Sequence, residues 1–169
     1  MNLKEIIKNY PDYPKKGVNF KDIWPLFRDQ NALEHIINIY KNEFKEVDYF
    51  AGIEARGFTF ASILAFELKK GFIPIRKKGK LPGKTIEAEY ELEYGKAEIE
   101  IQTDVLEKGS KIVIMDDLLA TGGTARAAAS LIEELGAEVI SFGFLVELAF
   151  LKGRDKLKGY DIISIVTYE

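Results

Sequence analysis

The sequence of 169 residues contains no cysteine and only one histidine, His35. Without cysteine the chain has no disulfide, no thiolate zinc site and no thiol nucleophile. A single histidine also excludes a cluster of histidine metal ligands, and His35 lies in an amphipathic pattern that is typical of a helix surface. Any chemistry of the chain therefore rests on carboxylates, hydroxyls, basic side chains and the backbone.

Long hydrophobic runs are missing as well. The longest stretch without a charged residue runs from Gly57 to Phe66, far short of the roughly 20 apolar residues of a membrane span. The first residues mix an acid and a base where a signal peptide has its apolar segment, so we expect a cytoplasmic protein. The formal net charge of -3 provides no overall basic surface for nucleic acid.

The composition, with 47% hydrophobic and 30% charged residues, is that of one globular domain over residues 1–169. Charge is distributed unevenly along it. Residues 76–84 contain five basic residues and no acid, whereas residues 87–100 contain six acids and one lysine. This boundary indicates an anion site, although a solvated loop followed by a polar strand face would give the same pattern.

Hydrophobic periodicity predicts an α/β fold with a mostly parallel central sheet flanked by helices. Apolar runs typical of buried strands recur at 49–53, 72–75, 112–115, 139–146 and 162–166. Segments with helical spacing alternate with them, at 33–44, 58–69 and 125–135. Between residues 86 and 102 apolar residues alternate with polar ones, which predicts an antiparallel hairpin with both polar faces in solvent.

The segment 113–125 carries the clearest indication of a binding site. A buried strand delivers Asp116 and Asp117 at its carboxyl end, and a turn with Gly122 and Gly123 then opens onto a helix. Ligands bind at this edge of parallel α/β sheets, and backbone amides at a helix N-terminus attract anions. We expect both glycines to allow positive φ and close approach of a ligand.

Hydroxyl groups complete this segment. Thr121 and Thr124 flank the glycines and add donors suited to a phosphate, while the two acids can accept hydrogen bonds from hydroxyls of the molecule that carries it. A glycine turn with a capping residue is the alternative, but capping requires one such residue and not two acids on a strand end.

This signature and four further segments, 13–23, 52–58, 76–85 and 92–97, together resemble the type I phosphoribosyltransferases, most closely those that act on adenine. The resemblance implies transfer of the 5-phosphoribosyl group from phosphoribosyl pyrophosphate to adenine, which gives AMP and pyrophosphate. It also implies a homodimer, Mg²⁺ as cofactor, a small N-terminal base-binding hood over residues 1–30, and a flexible loop and hairpin over residues 76–102.

The resemblance assigns roles residue by residue. The 5-phosphate would be held by Ala120, Thr121, Gly122, Gly123 and Thr124. The pyrophosphate would be met by Glu54, Ala55, Arg56, Arg76, Lys77, Lys80 and Tyr94, with a non-proline cis bond between the first two. Adenine would be held by Asn19, Phe20, Lys21 and Leu118. The catalytic groups would be Glu93, Asp116, Asp117 and Arg56.

Two features of these assignments depend on the chemistry of the substrate. Mg²⁺ would be bound mainly through pyrophosphate and ribose oxygens, with Asp116 or Asp117 as a contact through water. Lys21 stands where this family commonly has arginine, which matters only if base recognition uses the side chain rather than the backbone.

Two other functions remain open at this point. The first is a phosphoribosyltransferase for an oxopurine such as xanthine. The second is a regulator without activity that keeps the phosphoribosyl pyrophosphate loop as a sensor, but it would need a nucleic-acid surface that the charge balance does not provide.

Overall fold

The structure is a computed structural model that describes residues 1–92 and 95–169. Its helices are α1 Leu3–Ile6, α2 Trp24–Arg28, α3 Gln30–Glu43, α4 Arg56–Leu68 and α5 Gly123–Glu134. Its strands are β1 Lys8–Pro11, β2 Asn19–Asp22, β3 Tyr49–Ile53, β4 Gly71–Lys77, β5 Thr85–Glu91, β6 Lys96–Gln102, β7 Lys111–Leu119, β8 Glu138–Leu148 and β9 Asp161–Tyr168. Two 3₁₀ turns, Ala149–Leu151 and Gly153–Leu157, connect the last two strands.

A seven-stranded sheet in the order β5-β6-β4-β3-β7-β8-β9 forms the centre of the fold. The strands from β4 to β9 in that order pair in parallel, and β5 and β6 add an antiparallel hairpin at one edge. This arrangement confirms the predicted α/β fold with one antiparallel excursion. A separate two-stranded sheet, β1 with β2, lies in the N-terminal region.

Two hydrophobic clusters cover the two faces of the parallel sheet. One joins α3 and α4 to the sheet through residues such as Tyr40, Phe50 and Phe60, and the other joins α5 through residues such as Ile114 and Ile132. Because both faces are buried, the central strands read as continuous apolar runs rather than alternating ones. Among the helices that the structure describes, none is long and apolar enough to cross a membrane.

Strand β7 extends four residues beyond the predicted apolar run of 112–115. Asp116 and Asp117 therefore lie within the strand, with Asp116 opposite Phe144 of β8, and the strand continues through Leu118 and Leu119. Periodicity ended the strand too early because carboxylates interrupt an apolar run without interrupting the backbone ladder.

Candidate active site

The site lies where β3 and β7 meet. The two strands are parallel neighbours, with Gly52 opposite Met115. The helix that follows β3 packs in one hydrophobic cluster and the helix that follows β7 packs in the other, so the two connections leave the sheet on opposite faces. Such a point opens a crevice at the carboxyl ends of the strands, where ligands of α/β proteins bind.

The acid pair lies beside this crevice and is closely held. Asp117 is only 5% exposed, and its backbone N–H donates to Asp116 Oδ1 at 2.8 Å. Burial, reinforced by the neighbouring Asp117 charge, raises the pKa of Asp116 well above its ordinary value. Burial also raises the pKa of Asp117, against the opposing effect of Arg56.

Arg56 lies between the acid pair and strand β2. Its Nε lies 3.0 Å from Asp117 Oδ2, and its guanidinium carbon lies 5.1 Å from the centre of the Phe20 ring. The ion pair is close but poorly aligned, so Asp117 Oδ2 accepts no hydrogen bond from residues 1–92 or 95–169. A buried carboxylate oxygen of this kind is suited to accept a hydrogen bond from a ligand hydroxyl.

The segment Ala120 to Thr124 lines a cavity of about 70 Å³ together with Asp116 and Phe144. Gly122 has a φ of 79° as the residue before α5, and a Cβ on it would collide with the Gly153 carbonyl oxygen. Gly123 is the first residue of α5 and does not have a positive φ, so the expectation of positive φ at both glycines is wrong for Gly123. The helix start requires only one left-handed residue.

A second loop of the site follows β3. The bond between Glu54 and Ala55 is cis, as expected from the resemblance. The Glu54 carboxylate accepts the Lys77 N–H at 2.8 Å and two guanidinium N–H groups of Arg76 at 3.1 and 3.3 Å. These hydrogen bonds outweigh burial and lower the pKa of Glu54. Glu54 thus holds the basic loop and would repel an anion at its own oxygens.

Glu100 is a functional candidate that the sequence reasoning missed. We expected it on a solvated strand face, but it is 3% exposed, because the chain between β4 and β5 crosses over it. Its Oε1 accepts the backbone N–H groups of Lys80 at 2.8 Å and Leu81 at 2.7 Å. Burial would raise the pKa of Glu100, but hydrogen bonds from Leu81, Gly79 and Lys80, and from the Thr85 side chain, lower it below its ordinary value.

Both backbone polar groups of Lys80 are consequently held by side chains. Arg76 Nη1 donates to its carbonyl oxygen at 3.1 Å, while Glu100 accepts its N–H. These hydrogen bonds fix the backbone of the basic loop, so its lysine side chains project from defined positions. The unusual feature in the sequence was an acidic segment that follows a basic run, and this signal could have indicated that one of the acids anchors the basic loop.

The residues predicted to hold adenine are divided between two elements. Asn19, Phe20 and Lys21 lie on β2, and Leu118 lies on β7. Lys21 is buried and turns away from the Phe20 ring: its amine donates to Asn9 at 2.6 Å and lies 4.1 Å from the centre of the Tyr168 ring. Its side chain therefore connects the β1–β2 sheet to β9.

The structure thus brings Arg56, Phe20 and the acid pair together directly. Glu54, two residues before Arg56 in the chain, binds Arg76 and the Lys77 N–H, and Arg76 in turn binds the Lys80 carbonyl oxygen. The predicted roles of Glu93 and Tyr94 fall on residues outside those that the structure describes. Within the described ranges no three acidic or histidine side chains cluster closely enough to hold a metal ion on their own.

Comparison with known proteins identifies the family. The phosphoribosyl transferase domain model matches residues 26–166. The adenine phosphoribosyltransferase of Halothermothrix orenii is 54% identical, with 98% of this chain and 99% of that protein covered. That of Acetivibrio thermocellus is 51% identical, with 99% and 100% covered.

Solved structures agree with the sequence relatives. The adenine phosphoribosyltransferase of Thermoanaerobacter pseudethanolicus superposes with a TM-score of 0.95 at 50% identity, with 98% of each chain covered. The yeast enzyme, solved with an imino-altritol bisphosphate and adenine, gives a TM-score of 0.92 at 41% identity, with 96% of each chain covered. The chain therefore belongs to the phosphoribosyltransferase family and, within it, to the adenine phosphoribosyltransferases, as the resemblance predicted.

Proposed function

We propose that this chain transfers the 5-phosphoribosyl group from phosphoribosyl pyrophosphate to adenine and releases pyrophosphate, which is a purine salvage reaction. The observation that carries the proposal is the meeting of three features at one crevice: the acid pair, the glycine turn before α5, and Arg56 between Asp117 and Phe20. The yeast relative was solved with adenine and a bisphosphate, which are ligands of the same two kinds.

The glycine turn is the proposed site of the 5-phosphate. Ala120, Thr121, Gly122, Gly123 and Thr124 present backbone amides and two hydroxyls at the start of a twelve-residue helix. The left-handed Gly122 turns the chain so that the amides that follow it face the cavity. The cradle itself contains no charged side chain, and its amides and hydroxyls would bind the phosphate dianion.

The acid pair is the proposed site of the ribose hydroxyls. The buried Oδ2 of Asp117, which accepts no hydrogen bond from the described residues, can accept one from a ribose hydroxyl, and so can the oxygens of Asp116. When the bond to pyrophosphate breaks, the ribose gains positive charge, and two fixed carboxylates nearby lower the energy of that state. The ion pair with Arg56 favours the ionised form of Asp117 that this role requires.

The two loops after β3 and β4 are the proposed site of pyrophosphate. Arg56, Arg76, Lys77 and Lys80 provide positive charge, the Ala55 region provides a backbone N–H, and Glu54 orients Arg76. Negative charge that develops on the leaving group is stabilised by such preorganised donors. Tyr94 and Glu93 would join them, with Glu93 managing a proton on the base.

Mg²⁺ fits this donor set only if the substrate supplies most of its ligands. The described residues offer no metal cage, but Asp116 and Asp117 can hold a hydrated Mg²⁺ whose other ligands are oxygens of the substrate. When bound, Mg²⁺ would neutralise part of the charge of pyrophosphate and favour its departure.

Adenine is proposed to lie between β2 and β7. Asn19 and Lys21 would bind the edge of the base through their main-chain groups. The Lys21 side chain does not take part, because its amine is engaged by Asn9 and the Tyr168 ring. Phe20 and Leu118 would pack against the ring faces. Residues 1–30 would act as the hood over the base and residues 76–102 as the loop that closes over pyrophosphate and excludes water.

A homodimer is proposed on the exposed face of α4. Phe66 is 83% exposed, and Ser62 and Phe58 lie one and two turns earlier on the same face. Phe58 also packs edge-on against Phe72 at 5.5 Å, which enlarges the apolar surface. An apolar patch of this kind is typical of an interface. A cytoplasmic location is proposed because phosphoribosyl pyrophosphate and AMP are charged molecules that do not cross membranes unaided.

A panel of bases tests the function. Purified protein, phosphoribosyl pyrophosphate and Mg²⁺ are incubated with adenine, hypoxanthine, guanine or xanthine, and the nucleotide is followed by chromatography. We expect AMP to form fastest, with a loss of activity when Mg²⁺ is chelated. Faster turnover of an oxopurine would establish the other specificity, and no turnover of any base would favour the regulator.

A further inference from the structure

The turn Gly153–Leu157 is seated directly on the proposed phosphate cradle. A Cβ on Gly122 would collide with the Gly153 carbonyl oxygen, and a Cβ on Gly153 would collide with the Ala120 carbonyl oxygen. Two glycines therefore allow the backbones of the turn and the cradle to touch. A contact of this kind fixes the position of the turn relative to the start of α5.

This seat brings one amine close to the first residue of α5. In a 3₁₀ turn, residues three apart lie on the same side, so Lys156 follows Gly153 on the face toward the cradle. A Cβ on Gly123 would stand 3.8 Å from Lys156 Nζ. The amine thus lies beside the position that a side chain on the first residue of α5 would occupy.

Neighbouring basic residues are engaged elsewhere. Arg154 donates two hydrogen bonds of 2.7 Å to the Glu147 carboxylate, and Lys158 lies 3.7 Å from Asp155. Lys156 is exposed and has no ion pair with any residue in 1–92 or 95–169. It differs from them in facing a helix N-terminus.

That location is electrostatically unfavourable in the free protein. The N-terminus of α5 carries the positive end of the helix dipole, and a cation beside it is repelled rather than attracted. An anion placed between the two removes the repulsion and is attracted by both. The geometry therefore points to a site built for an anion from two separate elements.

We propose that Lys156 binds the 5-phosphate of phosphoribosyl pyrophosphate and of AMP, together with the backbone amides of the cradle. The inference rests on the proposed function, since it takes the occupant of the cradle to be a phosphate monoester. It adds a side-chain charge to a site that otherwise consists of amides and hydroxyls, and it gives the turn after β8 a role in binding.

The test compares Lys156→Met with Lys158→Met. Both changes remove one exposed lysine charge from the same segment and keep the stem, but only the first removes an amine from the cradle. Binding of AMP, ribose 5-phosphate, pyrophosphate and adenine is measured by calorimetry. Loss of a charge-assisted contact should weaken AMP and ribose 5-phosphate about tenfold in Lys156→Met. Pyrophosphate and adenine should be unaffected, and Lys158→Met should match the parent protein for all four ligands.

Two further variants complete the test. Lys156→Arg keeps the charge and should recover most of the affinity for ribose 5-phosphate. Gly123→Val places a side chain in the cradle itself and should weaken the same two ligands through its bulk. If Gly123→Val loses AMP while Lys156→Met binds it within twofold of the parent, the role of Lys156 is wrong and the cradle stands. If both variants retain AMP, the phosphate is bound elsewhere and the cradle assignment fails with it.

Discussion

Replacing Glu100 with glutamine tests whether this buried carboxylate anchors the basic loop. In the parent protein Glu100 Oε1 accepts two backbone N–H groups, and the other partners that lower its pKa are Gly79 N–H and the Thr85 side chain. A glutamine oxygen can keep the first two bonds. Its amide group is a donor, however, and would face the Gly79 N–H, which cannot turn away.

The expected loss of stability follows from the hydrogen bonds that glutamine cannot make. One buried N–H left without an acceptor, together with weaker bonds to a neutral oxygen, corresponds to about 2–3 kcal/mol of unfolding free energy. For a chain of this length that is a fall in Tm of about 4–12 °C. The folded pKa of Glu100 lies below its unfolded value, so its contribution is complete above the unfolded pKa and is lost as the pH falls through the folded one.

Thermal unfolding of Glu100→Gln and Glu98→Gln, followed by circular dichroism from pH 7 down to pH 3, measures the effect. Glu98 lies on the same strand but in solvent, where it pairs with Lys78 at 3.1 Å, so its variant should stay near the parent Tm. The difference in Tm between Glu100→Gln and the parent should become smaller as the pH falls toward 3. Equal Tm values for the two variants at pH 7 would refute the anchor.

Three further predictions concern the carboxylates of the site. In steady-state assays Asp117→Asn should lower kcat at least tenfold, because it removes a charge beside the developing cation. The fall in kcat should exceed the loss of affinity for phosphoribosyl pyrophosphate, and an unchanged kcat would contradict that role. The raised folded pKa of Asp116 means that its ionised form costs stability at neutral pH, so Asp116→Asn should have a higher Tm than the parent at pH 7 and lose this advantage below about pH 4. An equal advantage at both pH values would exclude the electrostatic cause. Glu93→Gln should lower kcat at least tenfold, because general acid-base help is worth about 10²–10⁴ in rate, while Glu89→Gln and Glu91→Gln remain near the parent; equal small effects at all three would show that Glu93 has no such role.

The sequence was sufficient for the parts of the fold that depend on local pattern. Continuous apolar runs identified the parallel strands, and Asp116, Asp117 and the glycines that follow identified the crevice. Each of these signals lies within a few residues of the feature that it predicts.

Features that depend on distant segments could not be predicted in this way. Alternation showed that Glu100 faces away from Ile99 and Ile101, but not that the chain at 79–81 covers that face. A glycine pair does not reveal which member takes the left-handed φ, nor that Gly122 packs against the carbonyl of Gly153, which is distant in the sequence. Lys156 carried no motif at all, because its position is set by that same contact.

The placement of AMP in a crystal structure of the complex tests the central claim most directly. We predict the phosphate against the amides of residues 120–124 with the Lys156 amine beside it, the ribose hydroxyls on Asp116 and Asp117, and adenine against Phe20. A phosphate bound instead on the basic loop at 76–84, with the crevice between β3 and β7 empty, would contradict the account.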